Sequence, residues 1–306
     1  MKSSLSKTSE TMYQAQFTST SHFVSVRGLQ YHVREWLTGA ATSSSPCIVL
    51  LHGWMDVSAS FQFMVDAFQK DWRVLALDWR GFGLSSTPQY DNYWFPDYLA
   101  DLDMVLDALK LEKVNLVGHS MGGNVAMLYS GVRPERIVRL VNLEGAGMPQ
   151  SHPNPAASRY RRFIDDIKTG ARLKPYGSLV EVAARLMKNN ARLTEDKARF
   201  LAEHWAKENS AGQWELRADA AHKLSTPILY RVEEVLSLWR RISAPTLMVL
   251  AGERDEWHKF VTSPAYRRRL LAIPTLQLVE VPEVGHMLHH DQPAVVASLI
   301  EAFLTS

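Results

Sequence analysis

The chain has 306 residues, 46% of them hydrophobic, which suits one large globular domain or one domain carrying a sizeable insertion. With 34 Lys and Arg against 32 Asp and Glu the formal charge is +2, so the overall balance points to neither nucleic acid nor an anionic membrane as the main partner. A single cysteine, Cys47, excludes an intramolecular disulfide framework and suits a reducing compartment.

In chain order, the opening MKSSLSKTSETMYQAQFTST is polar and lacks the apolar core of a secretory signal, and no later run reaches the length of a membrane span. The expectation is a soluble, cytoplasmic protein without membrane insertion, beginning with a flexible tail over residues 1–20. The stretch HFVSVRGLQYHVREWL then reads as two strands turning at Gly28. From Cys47 onward short apolar runs alternate with helical patterns, the signature of a parallel sheet with crossover helices. The runs are CIVLLHG, RVLALDW, VNLVGHS, IVRLVNLEG, TLMVLAG and LQLVEVPE; YLADLDMVLDALK and QPAVVASLIEAFL carry apolar residues at helical spacing.

The alternation breaks between Gly145 and about Ser243, where several helix-like segments appear and no good core strand does. Such a length far exceeds a strand-to-helix connection, so it reads as an inserted helical subdomain. It holds 17 Lys and Arg against 11 Asp and Glu, an excess read here as a solvated helical surface. The expected division is tail 1–20, core 21–145, insertion 146–243 and core 244–306. The fold class is α/β, a mostly parallel twisted sheet with helices on both faces.

GHSMGG, between the run VNLV and a helical pattern, fits G-x-S-x-G at Gly118, Ser120 and Gly122. A serine there sits on a sharp strand-to-helix turn whose flanking residues must be small, because backbone passes close by. Its hydroxyl needs a histidine to take the proton, and the histidine needs a carboxylate to fix its tautomer. His286 follows the run Leu276 to Val281 and Asp255 follows Thr246 to Gly252, both at strand C-terminal ends, where sites of such sheets form. Ser120, Asp255, His286 is also the chain order of this triad. Glu144, after the fourth parallel run, is the alternative acid. The Met121 amide, next to the serine at a helix start, and the Trp54 amide, with Gly53 allowing close approach, are the expected oxyanion donors.

Together HGW (52–54), DWRGFGLSS (78–86), GHSMGG (118–123), GERD (252–255) and GHMLHHDQP (285–293) resemble the α/β-hydrolase superfamily with a helical cap. They are similar to its serine-hydrolase-like branch, and the resemblance covers about residue 23 to the C-terminus. It implies that His52 braces the oxyanion loop, that Asp78 with Arg80 anchors the following turn, and that His119 is a packing or pocket-wall residue. Ser120 at the elbow, where epoxide hydrolases and haloalkane dehalogenases of this fold use Asp, sets those two classes aside.

His289 and His290 are expected on a helix approach or the surface, and Cys47 as a buried small hydrophobe. Trp54, Trp205, Trp214, Tyr230 and Trp239 could line an acyl pocket, with only Trp54 placed at the site. RADAAHK (217–223) reads as a solvated turn or a cap-to-core salt bridge. No metal set and no dinucleotide fingerprint is found, so no cofactor is expected. The reading is a serine hydrolase of small to medium, mainly apolar carboxylic esters, working through an acyl-enzyme with a small-molecule ester as partner. Thioester, lactone or carbon–carbon bond hydrolysis, or slow-turnover ligand reception on the same fold, stand as alternatives, and the oligomeric state is left open.

Overall fold

The sheet begins with the hairpin strands β1 (Thr20–Val26) and β2 (Leu29–Leu37); the apolar runs that alternate with amphipathic helices, and are covered on both faces, follow as β3 (Cys47–Leu51), β4 (Arg73–Leu77), β5 (Val114–His119) and β6 (Ile137–Leu143). The short strands β7 (Ala206–Glu208) and β8 (Trp214–Leu216) follow, then β9 (Thr246–Ala251) and β10 (Leu276–Val281). The computed structural model describes residues 12–88 and 92–306, so most of the expected flexible tail lies outside the described residues. What is described of that tail is anchored rather than loose. Tyr13 Oη donates to Asp66 Oδ2 at 2.8 Å, and the Phe17 amide donates to Asp66 Oδ1 at 2.9 Å.

The sheet order is β1-β2-β4-β3-β5-β6-β9-β10; β1, β2 and β4 run antiparallel in sequence and the remaining pairs are parallel. Arg27 (φ 52°) and Gly28 (φ 77°) make the two-residue β1–β2 turn, both in the left-handed conformation that matches the twist of a hairpin. Successive residues of β3 point to opposite faces. Val49 and Leu51 join one apolar cluster with Leu102, Val105, Val125 and Met127, whereas Ile48 and Leu50 join another with Phe61, Val65, Val296 and Ile300. The helices Phe95–Ala108 and Met121–Val132 thus cover one face and Pro293–Leu304 the other. All six parallel strands end at one rim of the sheet, and the chain order reverses around β3, where a crevice opens.

Between β6 and β9 the chain forms the helices Ala156–Thr169, Leu179–Asn189, Glu195–Trp205 and Val232–Trp239, together with the small β7–β8 hairpin, which the sequence pattern did not suggest. Val182, Leu186, Ala198 and Leu201 close a separate apolar cluster with Phe63 of the core. The last helix belongs by packing to the core rather than to the insertion. Val235 and Trp239 join the first sheet-face cluster, and a Cβ on Gly131 would lie 2.3 Å from the Leu238 carbonyl oxygen. Cys47, at the start of β3, is half-buried, and burial pushes its thiol up to about 12. No helix among the described residues is long and apolar enough to cross a membrane.

Candidate active site

Ser120 stands between the end of β5 and the helix Met121–Val132 with φ 53° and ψ −115°, a conformation costly for a side-chain-bearing residue and held only by its surroundings. Those surroundings explain the glycines. A Cβ on Gly118 would lie 2.3 Å from the Gly122 carbonyl oxygen, and one on Gly122 would lie 2.1 Å from that of Leu51. The Ser120 amide donates to the Leu143 carbonyl at 2.8 Å, tying the turn to the neighbouring strand end.

His286, in the loop after β10, brings Nε2 to 2.9 Å from Ser120 Oγ, while its Nδ1 lies 3.2 Å from Glu144 Oε2. With Nδ1–H donating to the carboxylate, Nε2 is left as the acceptor for the serine proton. Glu144 directly follows β6, is only 2% exposed and adopts φ 61°. Asn142 clasps the following residue: its Oδ1 accepts from the Gly145 amide at 2.7 Å and its Nδ2 donates to the Gly145 carbonyl at 2.8 Å. The second Glu144 oxygen accepts from the Ala251 amide at 2.6 Å.

The carboxylate facing His286 is therefore Glu144, the alternative acid, and not the expected Asp255. Asp255 Oδ1 accepts from the His258 amide at 2.7 Å and caps the helix Glu256–Thr262, and the residue is exposed. The physical reason lies in strand order: β6 is the immediate neighbour of β5, so its first loop residue falls beside the serine, whereas β9 is one strand further out. Two signals in the sequence favour this arrangement. Glu144 has no helix to cap, and Asp255 heads the helical stretch EWHKFVT like an ordinary N-cap residue.

The loop after β3 crosses the serine closely, since a Cβ on Gly53 would lie 3.3 Å from Ser120 Cβ and 3.1 Å from His119 Nδ1. His52 holds that loop. Its Nδ1 donates to the Gly53 carbonyl at 2.7 Å and its Nε2 accepts from the Trp79 amide at 3.0 Å. Burial lowers its pKa to about 4, so the ring is neutral and can play both parts. Trp54 is half exposed and Met121 opens the helix, with both residues at the site.

Asp78 anchors the following turn without Arg80, a correction to the expected pairing. It meets His32 Nδ1 at 2.7 Å and accepts from the amides of Ser58 at 2.6 Å and Leu84 at 2.9 Å. Burial opposes its charge, but His32, His52 and these amides hold the carboxyl well below the usual carboxylate range. Arg80 instead pairs with Asp101, Nη2 to Oδ1 at 2.6 Å.

His119, His289 and His290 are all buried; the latter two lie on the short helix Leu288–Asp291, the first of the two places expected for them, and not at the surface. His290 Nε2 lies 2.7 Å from Ser60 Oγ, and His119 Nε2 donates to the His286 carbonyl at 2.8 Å, fixing the loop that carries His286. Beside them Asp56 has one carboxylate oxygen without a partner, and burial raises its pKa to about 7.

A chamber of about 600 Å³ opens above Ser120. Gly53, Trp54, Asp56, His119, Ser120 and His286 form its core-side lining; Tyr176, Val182, Leu186, Leu193, Leu201 and Trp205 line it from the insertion. Of the five aromatic candidates only Trp54 and Trp205 line it; Trp239 is buried in the core and Tyr230 packs against the same cluster. The RADAAHK stretch joins insertion to core through rings and hydrogen bonds rather than a salt bridge. His222 stacks on Phe82 at 3.8 Å and on Tyr93 at 3.5 Å, and Asp219 accepts from Tyr93 Oη at 2.8 Å.

A serine on a strained elbow at the rim of a doubly covered, mostly parallel sheet defines a class, and the chain belongs to the alpha/beta hydrolase fold family, whose pattern matches residues 46–293. A serine hydrolase-like protein of Danio rerio is 30% identical over 266 residues, covering 84% of this chain and 81% of that protein. Serine hydrolase-like protein 2 of Homo sapiens is 26% identical over 274 residues, covering 85% and 87%. Among solved structures, the thioesterase domain from the curacin biosynthetic pathway superposes with a TM-score of 0.82 at 24% identity, covering 93% of this chain and 99% of that one.

Proposed function

We propose that this chain is a serine hydrolase cleaving carboxylic esters of small to medium, mainly apolar acyl groups through an acyl-enzyme intermediate. One observation carries the reading: Ser120 Oγ lies 2.9 Å from His286 Nε2, and the other ring nitrogen faces a buried carboxylate, Glu144. In this reading His286 removes the serine proton as Oγ attacks the ester carbonyl, and returns it to the leaving alcohol as the tetrahedral intermediate collapses. Glu144 holds the ring's tautomer and stabilises the imidazolium. The amides of Trp54 and Met121 receive the oxyanion, the latter helped by the dipole of its helix. Water, activated by the same histidine, then releases the acid. The chamber has room for a modest acyl chain, and its aliphatic walls favour an apolar one.

The test combines labelling with turnover. A fluorophosphonate should label Ser120 stoichiometrically, and 4-nitrophenyl esters should turn over fastest at short to medium chain length. Ser120→Ala should lower kcat by about 10⁴ or more. Labelling followed by a single slow turnover would instead identify a ligand receptor on the same fold, and more than a tenth of wild-type activity in Ser120→Ala would overturn the nucleophile.

A further inference from the structure

The chamber has an uneven distribution of charge. Lys174, Arg185 and Lys223 line it from the insertion, and all three are exposed, whereas the lining includes one carboxylate, the buried Asp56. Among the described residues none of the three cations has an ion pair or a side-chain hydrogen bond. The nearest carboxylates along the chain are engaged elsewhere. Glu181, one helical turn before Arg185, accepts from the Gly177 amide at 2.9 Å, and Asp219, four residues before Lys223, accepts from Tyr93 Oη at 2.8 Å and the Ala221 amide at 3.0 Å.

Solvated basic residues on a helical surface are ordinary, and the insertion as a whole is basic. Three unneutralised cations brought from separate stretches to one chamber, beside an aliphatic wall, are a different arrangement. Arg185 comes from the helix Leu179–Asn189, Lys223 from the turn Ala220–Lys223, and Lys174 from the segment before that helix. Low-dielectric walls focus the field of such groups and raise the local concentration of anions.

We propose that the insertion side of the chamber is an anion subsite, and that the ester hydrolysed at Ser120 carries a carboxylate at the end of its acyl chain remote from the scissile carbonyl. The inference rests on the hydrolase reading for its substrate and deepens it. The apolar wall takes the methylene chain, while the three cations take the charged end.

The probes are 4-nitrophenyl hydrogen suberate and a neutral 4-nitrophenyl ester of matched chain length. At low ionic strength kcat/KM should favour the anionic ester by about tenfold or more. The preference should shrink in 0.5 M NaCl, where the screening length falls to a few ångströms. The double substitution Lys174→Glu/Arg185→Glu should lower the anionic-to-neutral ratio at least tenfold, whereas Lys113→Glu/Lys110→Glu, outside the chamber lining and of equal charge change, should leave that ratio unaltered. A second measurement needs no catalysis: titration calorimetry of suberate into Ser120→Ala, with and without the double reversal, should show binding that the reversal abolishes. Preference for the neutral ester, or a ratio unmoved by the reversal, overturns the subsite. If neither ester is hydrolysed and Ser120 resists fluorophosphonate, the hydrolase reading fails while the calorimetry still decides the subsite.

Discussion

The elbow and the insertion obey different packing rules. Around Ser120 backbone lies against backbone, so that no side chain fits at Gly118 or Gly122 and the strained serine is held by its neighbours. In the insertion the helix Ala156–Thr169 buries no residue, and the seam to the core combines the apolar cluster on Phe63 with rings and hydrogen bonds around His222. The Ser120–His286 geometry lies where displacement is most costly, and the insertion's part of the chamber lies where the chain can repack with less loss. That division is expected of sites carried by loops on a rigid scaffold.

The largest predicted effect tests which carboxylate belongs to the rigid part. Glu144→Gln should lower kcat on an activated ester by about 10⁴, because the amide offers His286 the wrong partner and so the wrong tautomer. Asp255→Asn should leave kcat within about twofold, since an amide oxygen can still cap its helix. Measured side by side at pH 8, the opposite ranking would return the acid to Asp255.

Next in size is a pair of backbone tests. Gly122→Ala drives a methyl into the Leu51 carbonyl and should cost about 3 kcal/mol or more in urea unfolding, beyond the usual cost of an overpacked core site. Ala184→Gly, at an exposed position in the helix Leu179–Asn189, should cost about 1 kcal/mol. Equal losses would show that the insertion is as tightly determined as the elbow.

A third test uses pH. Burial raises the Asp56 carboxyl from 3.8 to about 7, so the folded state holds this proton more tightly than the unfolded chain does. The resulting stabilisation is complete below pH 3.8 and is lost as pH rises through 7. Asp56→Asn should therefore gain about 1–3 kcal/mol on the wild type between pH 5 and pH 9. A difference that stays flat across that range contradicts the shift. His52, near 4, and His222 and His290, near 3, act in the opposite sense, with stability present above 6.5 and lost as pH falls.

The smallest effect probes the seam. His222→Ala removes the ring stacked on Phe82 and Tyr93, and should raise KM about three- to tenfold while kcat stays within about twofold. A fall in kcat with unchanged KM would move His222 from the substrate side to the reacting side.

Much of the architecture could be read from the chain because parallel strands covered on both faces appear as unbroken apolar runs; VNLVGH and TLMVLA need no alternation to be recognised. The approach of Ser120 and His286 was legible for a related reason, since glycine spacing marks a turn whatever lies around it. Which carboxylate would face His286 was not, because choosing between Glu144 and Asp255 requires the lateral order of strands, which no local pattern encodes. The β7–β8 hairpin escaped notice because three-residue strands are too short to show a period. His289 and His290 were expected on a helix approach or at the surface; they lie on the helix Leu288–Asp291, and their burial, with His289 against the His119 ring, depends on tertiary packing that no local pattern encodes.

Glu144 has a second attachment with consequences for how this protein can change over generations. Its Oε1 accepts the Ala251 amide while Oε2 faces His286, so one carboxylate both joins the ends of β6 and β9 and, in the proposed mechanism, orients the base. Active-site groups commonly weaken the fold that carries them, and replacing them often yields a sturdier, inactive protein. Here the same substitution would be penalised twice, once by folding and once by turnover. A lineage that lost its substrate would still be under pressure to keep the acid, and so would remain within few mutations of regaining activity.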